Sequence, residues 1–365
     1  MKLVCKVVLG LVLSVFLGTS PSVARADAPT VIRIAYPGVG VGNRPVAGGN
    51  AVGTAQLRGL IEEEFKPDGI KVTWSFLRGA GPAVNELFAN GLTDFAALGD
   101  LPSIVGRASG LKYHALLAAV VRSNGYIAVP ADSPLQSGKD LRGKRIAVNK
   151  GTATHLIANK LLEQFGLTDK DVKLISMDTN TAKAAIVTGD IDAAVGGSDY
   201  LGLRDQGVAR ILYTTRGGNP ALTSNTLFLG ADAFTSKYPE HTKRVLKALV
   251  QAAKWMSDQE KEPQPLFQLW TRTGFTFSSY KEDWQGESIK YKLSPLLDQY
   301  VYTRYGFQIG EAKRLGLVRN TFDFADFADP SFLNAVLKEL NLQDYWQPRD
   351  PNTGLPAAAV ATAAR

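Results

Sequence analysis

Hydrophobic and polar positions along the chain switch repeatedly between the period of a strand and the period of a helix, which is typical of α/β proteins. Residues 31–36 (VIRIAY) predict a first strand and residues 54–65 the helix that follows it. Further strands are predicted at 71–78, 94–98, 113–121, 126–130, 144–149, 172–176, 191–196, 211–214 and 226–230. Helices are predicted between them, including 179–188 and the long amphipathic segment 239–260. This order predicts doubly wound sheets.

A short phrase occurs twice in this pattern, 98 positions apart. Gly91–Asp100 has the sequence GLTDFAALGD and Gly189–Ser198 has GDIDAAVGGS, so that Asp94 matches Asp192. Each copy predicts the end of a helix, a buried strand and the start of a new helix, whose free N–H groups can bind a ligand at the edge of a sheet. The repeat therefore predicts two similar lobes with a cleft between them. The alternative is that this sequence pattern, which is common at turns between helices and strands, marks no site.

The first 26 residues predict a secretory signal that is cleaved before Asp27. Two lysines precede an apolar segment, 7–18, that is too short for a membrane span, and Ala24–Ala26 has the small-x-small form of a cleavage site. An uncleaved N-terminal anchor is the alternative. Cys5 precedes the apolar segment, so it is not the lipid-bearing cysteine of a lipoprotein. We therefore expect a periplasmic protein without disulfides or thiolate metal sites.

Removal of this signal leaves 339 of the 365 residues, enough for two domains, and lowers the formal charge from +7 to +4. No basic segment interleaved with aromatic residues is present, which argues against nucleic acid as a partner. We expect lobe I at 27–122 and 226–346, lobe II at 123–225, and a disordered tail at 347–365. The aromatic-rich segment 263–348 shows no chemical motif.

The glycine-rich segment 37–53 lies between the first strand and the first helix. It lacks the dinucleotide-binding fingerprint, because Asn43 stands where the third glycine belongs and no helix begins there. We interpret the segment as a mobile binding loop that carries Asn43 and Arg44. A plain surface loop is the alternative.

Three stretches in this order resemble the sulfonate/nitrate/taurine-type solute-binding proteins of bacterial ABC importers: DFAALGDLPSIVGRASG, DSPLQSGKDLRGKRIAVNKGTATHLI and VTGDIDAAVGGSDYL. The resemblance covers about residues 30–250. It implies a type II periplasmic-binding fold, in which two doubly wound lobes, joined by two crossing strands, close on a small oxyanion. It also implies a membrane permease as partner, and no enzymatic activity, cofactor or metal. We expect a monomer.

Two helix starts are the candidate anion site, because the first N–H groups of a helix carry partial positive charge worth about 0.3–2 kcal/mol. They lie at Gly99-Asp100-Leu101 and at Gly151-Thr152. Thr152 and Thr154 add hydroxyl donors, and His155 can donate from a ring nitrogen. Its place in the resembling motif favours a ligand contact for His155, while a packed histidine is the alternative.

Two carboxylates accompany these candidates. Asp100 would repel an anion, so we expect it to cap its helix through the N–H groups two and three residues on. Ser198 and Asp199 open the helix after the second copy of the repeat. Asp199 is expected to cap that helix or, if the ligand is an amino-sulfonate such as taurine, to bind its ammonium.

Two other functions are compatible with the sequence. A protein of the same scaffold that binds or makes a pyrimidine precursor of thiamine would use clusters of histidine and cysteine, whereas His114, His155 and His241 are scattered along this chain. No nucleophile elbow and no HExxH motif is present. A binding subunit of a sensor or of another kind of transporter is the third possibility.

Overall fold

The computed structural model describes residues 28–356. The predicted signal peptide lies outside the described residues. The strands are β1 Val31–Tyr36, β2 Lys71–Phe76, β3 Phe95–Gly99, β4 Tyr113–Ser123, β5 Tyr126–Pro130, β6 Arg145–Val148, β7 Lys173–Ser176, β8 Ala193–Gly196, β9 Ala209–Thr214 and β10 Ser224–Ala231. The helices are α1 Ala51–Arg58, α2 Leu60–Phe65, α3 Ala80–Ala89, α4 Asp100–Ala108, α5 Ala153–Gln164, α6 Thr179–Thr188, α7 Leu201–Asp205, α8 Asp232–Lys237, α9 Pro239–Ser257, α10 Gln264–Trp270, α11 Phe277–Asp283, α12 Ile289–Lys292, α13 Gln299–Arg314 and α14 Ser331–Glu339.

The strands form two five-stranded sheets with the same plan. The first has the order β2-β1-β3-β10-β4 and the second the order β7-β6-β8-β5-β9. In each sheet the first three strands are parallel, and the fourth is antiparallel to both of its neighbours. Apolar clusters cover both faces of each sheet, as a doubly wound arrangement requires.

Two short crossing segments connect the sheets. One is the step from β4 to β5 around Gly125, and the other, from β9 to β10, includes Thr215. The two are bonded to each other, because the Gly125 N–H donates to the Thr215 hydroxyl at 2.9 Å and the Thr215 N–H donates to the Gly125 carbonyl at 3.0 Å. The chain thus crosses twice at one place, with a cleft between the carboxyl edges of the parallel strands.

The aspartate of each copy of the repeated sequence has the same bonding role in its own sheet. Asp94 accepts the backbone N–H of Arg33 at 2.8 Å and its guanidinium at 2.5 Å. Asp192 accepts the backbone N–H of Arg145 at 2.7 Å and its guanidinium at 2.9 Å. Each carboxylate therefore joins its own loop to the neighbouring parallel strand, at the sheet edge remote from the cleft.

Two expectations about local structure are wrong. The predicted helix 54–65 is two helices, α1 and α2, which meet at Gly59 with a positive φ of 65°. Residues 347–356, assigned to a disordered tail, are packed: Arg349 is 2% exposed, and its Nε donates to Asp298 at 2.8 Å. Residues 357–365 lie outside the described part of the chain. Within residues 28–356, no helix has the length and apolar character that crossing a membrane requires.

Candidate functional site

Three adjoining cavities lie between the two sheets. The helix-end cavity, of about 250 Å³, is lined by Tyr36, Pro37, Ala80, Gly81, Gly99, Pro102, Asn149, Thr152, Ala153, Thr154, Thr179 and Thr226. The aromatic cavity, also of about 250 Å³, shares Tyr36 and Thr226 with it and includes Phe275, Tyr280 and Trp284. The ion-pair cavity, of about 160 Å³, contains Arg78, Asp178, Lys183 and Asp199.

The starts of four helices reach the helix-end cavity. Ala80 and Gly81 begin α3, Gly99 is the N-cap of α4, Thr152 is the N-cap of α5, and Thr179 begins α6. The first N–H groups of a helix have no partner within it and carry partial positive charge. No lining residue of this cavity is charged, so these backbone donors and the threonine hydroxyls dominate its chemistry.

Helix α5 offers the freest donors. Its N-cap Thr152 makes no side-chain cap bond. The Thr152 hydroxyl instead donates to the carbonyl of Asn149 at 2.6 Å and lies 2.8 Å from the Thr154 hydroxyl. Because the single proton of Thr152 is committed to Asn149, the Thr154 hydroxyl is the donor in the bond between the two hydroxyls. It can donate to a ligand by turning its proton away from Thr152.

Gly151 and His155 are bonded to each other and do not line the cavity. The Gly151 N–H donates to Nδ1 of His155 at 3.3 Å, so this nitrogen is an acceptor. Burial lowers the pKa of His155, and the charge of Lys150 lowers it further. The ring is therefore neutral at pH 7, and it orients the turn before α5.

The Gly99-Asp100-Leu101 stretch contributes only Gly99 to the cavity wall. Asp100 is 1% exposed and accepts from the adjacent N–H of Leu101 at 2.9 Å, not from N–H groups two and three residues on, so the expected capping role is wrong. Its other oxygen accepts from Gln308 at 2.6 Å and from the Asn225 N–H at 3.1 Å. Leu101 is a core residue. Burial raises the pKa of Asp100, whereas these three donors favour its ionised form.

The glycine-rich loop lines the cleft mainly through its backbone and small side chains. Asn43, at a positive φ of 61°, accepts from the Asn180 amide of the second lobe at 3.3 Å. Arg44 is exposed and lines none of the three cavities; its carbonyl instead accepts the N–H groups of Gly40 and Val46. Of the two residues predicted here, Asn43 lies between the lobes and Arg44 does not.

Ser198 and Asp199 reach different cavities. Ser198 lines the aromatic cavity, whereas Asp199 lines the ion-pair cavity, where its Oδ2 lies 3.2 Å from Nζ of Lys183. Its Oδ1 accepts the Gly197 N–H at 3.2 Å. Asp199 therefore already has a cation of its own lobe beside it.

Sequence reasoning missed several lining residues. Asn50 donates to the Tyr36 hydroxyl at 2.7 Å, and Asn149 and Thr179 complete the helix-end cavity. The segment 273–292, which showed no motif, supplies a wall of the aromatic cavity. No local sequence pattern marks this segment as part of a site, because its partners lie more than 150 positions away in the chain. One example is the 2.7 Å hydrogen bond from the Tyr126 hydroxyl to Asp283.

Comparison with known proteins places this architecture among two-lobed binding proteins. A crystal structure from Methylobacillus flagellatus KT, assigned as the periplasmic sulfonate-binding protein SsuA of a sulfonate ABC transporter, matches with a TM-score of 0.70 and 29% identity over 88% of this chain and 98% of that one. The alkanesulfonate-binding protein SsuA from Xanthomonas axonopodis pv. citri, at 23% identity, has a TM-score of 0.68 over 83% and 99% of the two chains. The predicted two-lobe periplasmic-binding fold is confirmed.

The family follows from the sequence comparison. A family model described as NMT1/THI5 like matches residues 64–263, more than half of the chain, and the chain belongs to this family. A Bacillus subtilis (strain 168) protein with the assigned name aliphatic sulfonates-binding protein is 32% identical over 216 residues, which cover 58% of this chain and 64% of the relative. An Escherichia coli (strain K12) protein with the same assigned name is 26% identical over 234 residues, or 63% and 68% of the two chains. The match thus spans about two thirds of these relatives.

Proposed function

We propose that this protein is the periplasmic solute-binding component of an ABC importer and that it captures a small organic sulfonate in the helix-end cavity. The observation that carries the proposal is the convergence of four helix starts on a cavity without a charged lining residue. The resemblance of the chain to proteins with sulfonate-binding names supports the same ligand class.

The donors suit a sulfonate group. Three oxygens share one negative charge, so several weak donors from different directions satisfy them better than a single cation does. The N–H groups at the starts of α3 and α5 and the Thr154 hydroxyl come from both lobes, whereas Asp178 already accepts the N–H groups of Asn180 and Thr181 at the start of α6. Each additional hydrogen bond to the charged group contributes about 1.5–3 kcal/mol. Binding would therefore favour the closed arrangement over an open one.

Contacts outside the cavities hold the lobes together in this arrangement. The Arg204 guanidinium of α7 donates to both oxygens of Glu282 in α11, at 2.7 and 2.6 Å. The Ser278 hydroxyl donates to Asp205 at 3.0 Å. A membrane permease would distinguish this closed form from an open one, and release of the sulfonate requires that these contacts at the mouth of the cleft break.

An enzyme or binding protein for a thiamine pyrimidine precursor is the alternative. Its chemistry would rest on clustered histidines and cysteines. Within residues 28–356, His114 instead pairs with Asp232 at 2.7 Å, His241 stacks on Phe65, and His155 accepts the Gly151 N–H. Among the same described residues, no group of three or more His, Cys, Asp or Glu could hold a metal ion. The geometry therefore favours the binding function.

The test is a thermal-shift screen of the protein purified from the periplasm, followed by calorimetry. Alkanesulfonates should stabilise it by about 2.7 kcal/mol at 100 times their dissociation constant, whereas alkylammonium ions of equal length should not. Binding of taurine tests whether Asp199 accepts an ammonium group, and binding of nitrate tests whether the size of the cavity selects the anion. Stabilisation by a hydroxymethyl aminopyrimidine, without any response to sulfonates, would establish the alternative instead.

Export belongs to the same proposal. N-terminal sequencing of the periplasmic fraction should begin at Asp27 or within a residue or two of it. A periplasmic chain that carries lipid, or a chain that begins at Met1 and stays with the membrane, would contradict a soluble, non-lipoprotein component.

A further inference from the structure

A buried lysine without a hydrogen-bond partner lines the aromatic cavity. Lys292, the last residue of α12, is 3% exposed, and its Nζ makes no hydrogen bond to any atom of residues 28–356. The nitrogen lies 4.6 Å from the ring centroid of Trp284, which lines the same cavity. Burying an ammonium without a hydrogen-bond acceptor is unfavourable.

The charged neighbours of Lys292 contact other residues, and one of them, Asp283, also lines the aromatic cavity and is engaged through its Oδ1. Asp283 accepts from the Tyr126 hydroxyl at 2.7 Å and from the Asn124 amide at 2.9 Å. The Glu287 carboxylate lies 3.6 Å from the Arg122 guanidinium. In the described part of the chain no carboxylate lies within 4.0 Å of the Lys292 nitrogen. Burial lowers the pKa of Lys292, an effect that Asp283 and Glu287 oppose, so an added acceptor would favour the charged ammonium.

The aromatic cavity continues from the helix-end cavity. The two share Tyr36 and Thr226, and each has a volume of about 250 Å³. A ligand whose sulfonate lies at the helix starts can therefore extend past Tyr36 toward Lys292. Most of the aromatic cavity's walls come from 36–50 and 273–292, outside the residues 64–263 that match the family. The far end of the cleft is where this chain can differ from its relatives.

We propose that the solute carries a second anionic group at its far end and that Lys292 binds this group. This inference rests on the proposed function, and it narrows the ligand to sulfonates with a terminal carboxylate or an equivalent anion. A purely alkyl end would leave the buried Lys292 unpaired. A cationic end would place a second positive charge beside it.

The experiment compares matched ligands by calorimetry. A series of ω-sulfocarboxylates with two to five methylene groups is titrated against analogues in which an isopropyl group of equal shape replaces the carboxylate. The best sulfocarboxylate should bind about ten- to a hundredfold more tightly than its isopropyl analogue, because a hydrogen bond to a charged group is worth that ratio. This comparison uses the unmodified protein, so it does not depend on the folding of any variant.

Variants then assign the effect to the lysine. Lys292→Met should abolish the preference for the carboxylate over the isopropyl analogue in a protein that still folds. Lys290→Met is the matched control, because Lys290 lies on the same helix but places its ammonium over the Tyr345 ring, at 4.2 Å. It should keep the full preference.

The outcomes separate the two proposals. If alkanesulfonates bind but no sulfocarboxylate gains over its isopropyl analogue, the Lys292 subsite is wrong and sulfonate capture stands. Equal losses for both ligand types in a folded Lys292→Met protein would likewise overturn the subsite. If no sulfonate of either type binds, the proposed function fails and the inference fails with it.

Discussion

Gly99 and Ala153 face each other across the cleft, so closely that a Cβ added to Gly99 would lie 3.1 Å from the Cβ of Ala153. Gly99 ends β3 of the first sheet, and Ala153 begins α5 of the second lobe. This distance is tighter than nine in ten real contacts of a Cβ atom. The absence of a side chain at Gly99 is therefore what lets the two helix starts approach each other this closely.

Gly99→Val should weaken sulfonate binding about five- to a hundredfold, because overpacking costs about 1–3 kcal/mol and here falls on the closed state. The backbone of Gly99 has a φ of −67°, which any residue adopts, so the unliganded protein should melt nearly as the wild type does. Gly310→Val on α13 is the control, since a Cβ there meets nothing within 4 Å. Normal affinity in Gly99→Val would mean that the lobes do not close at this point.

Thr154→Val should weaken sulfonate binding about ten- to a hundredfold with little change in the melting of the free protein. Thr152→Val should instead lower the free energy of unfolding by about 0.5–1.5 kcal/mol, because its hydroxyl holds the Asn149 carbonyl at 2.6 Å. Calorimetry and denaturant unfolding of both variants measure the two effects. The reverse assignment, with affinity lost only in Thr152→Val, would show that Thr152 is the direct ligand donor.

Much of the fold was accessible from the sequence, because local patterns determine it. The repeat around Asp94 and Asp192 predicted two lobes correctly, since each aspartate fulfils the same bonding role within its own sheet. The partners of Asp100 were not predictable: Asn225 and Gln308 are 125 and 208 positions away. Lys292 was missed for the same reason, because a single lysine in an aromatic segment carries no pattern.

The stability of the wild-type protein should rise with pH relative to Lys160→Met. Burial lowers the pKa of Lys160 to about 8 from the ordinary 10.5, so the unfolded chain binds more protons between these values. The cost of burying the charge is fully present below pH 8 and is relieved as pH rises toward 10.5. Urea unfolding should show a relative gain of about 1–3 kcal/mol between pH 7.5 and 10. If the free energy of unfolding changes with pH in the same way in the wild type and in Lys160→Met, the lowered pKa of Lys160 is wrong. Lys170 is exposed, so the control variant Lys170→Met should show the same pH dependence of stability as the wild type.

Glu282→Gln should raise the sulfonate dissociation rate by up to about fivefold. The Arg204–Glu282 pair joins the lobes through two hydrogen bonds, and exposed ion pairs contribute about 0.2–1 kcal/mol. Stopped-flow fluorescence measures the rate. Glu339→Gln is the matched control, because Glu339 pairs with Lys247 at 2.6 Å between two helices that cover the first sheet. A similar increase in the dissociation rate in both variants would show that the Arg204–Glu282 pair has no specific role in holding the lobes closed.

The central claim concerns where the sulfonate group lies, and the position of its sulfur tests this most directly. A crystal of the protein with a bound alkanesulfonate, measured for anomalous scattering from sulfur, should show a peak in the helix-end cavity, within hydrogen-bond reach of the Thr154 hydroxyl and the start of α5. A sulfur peak beside Lys292, or outside the cleft, would contradict the account.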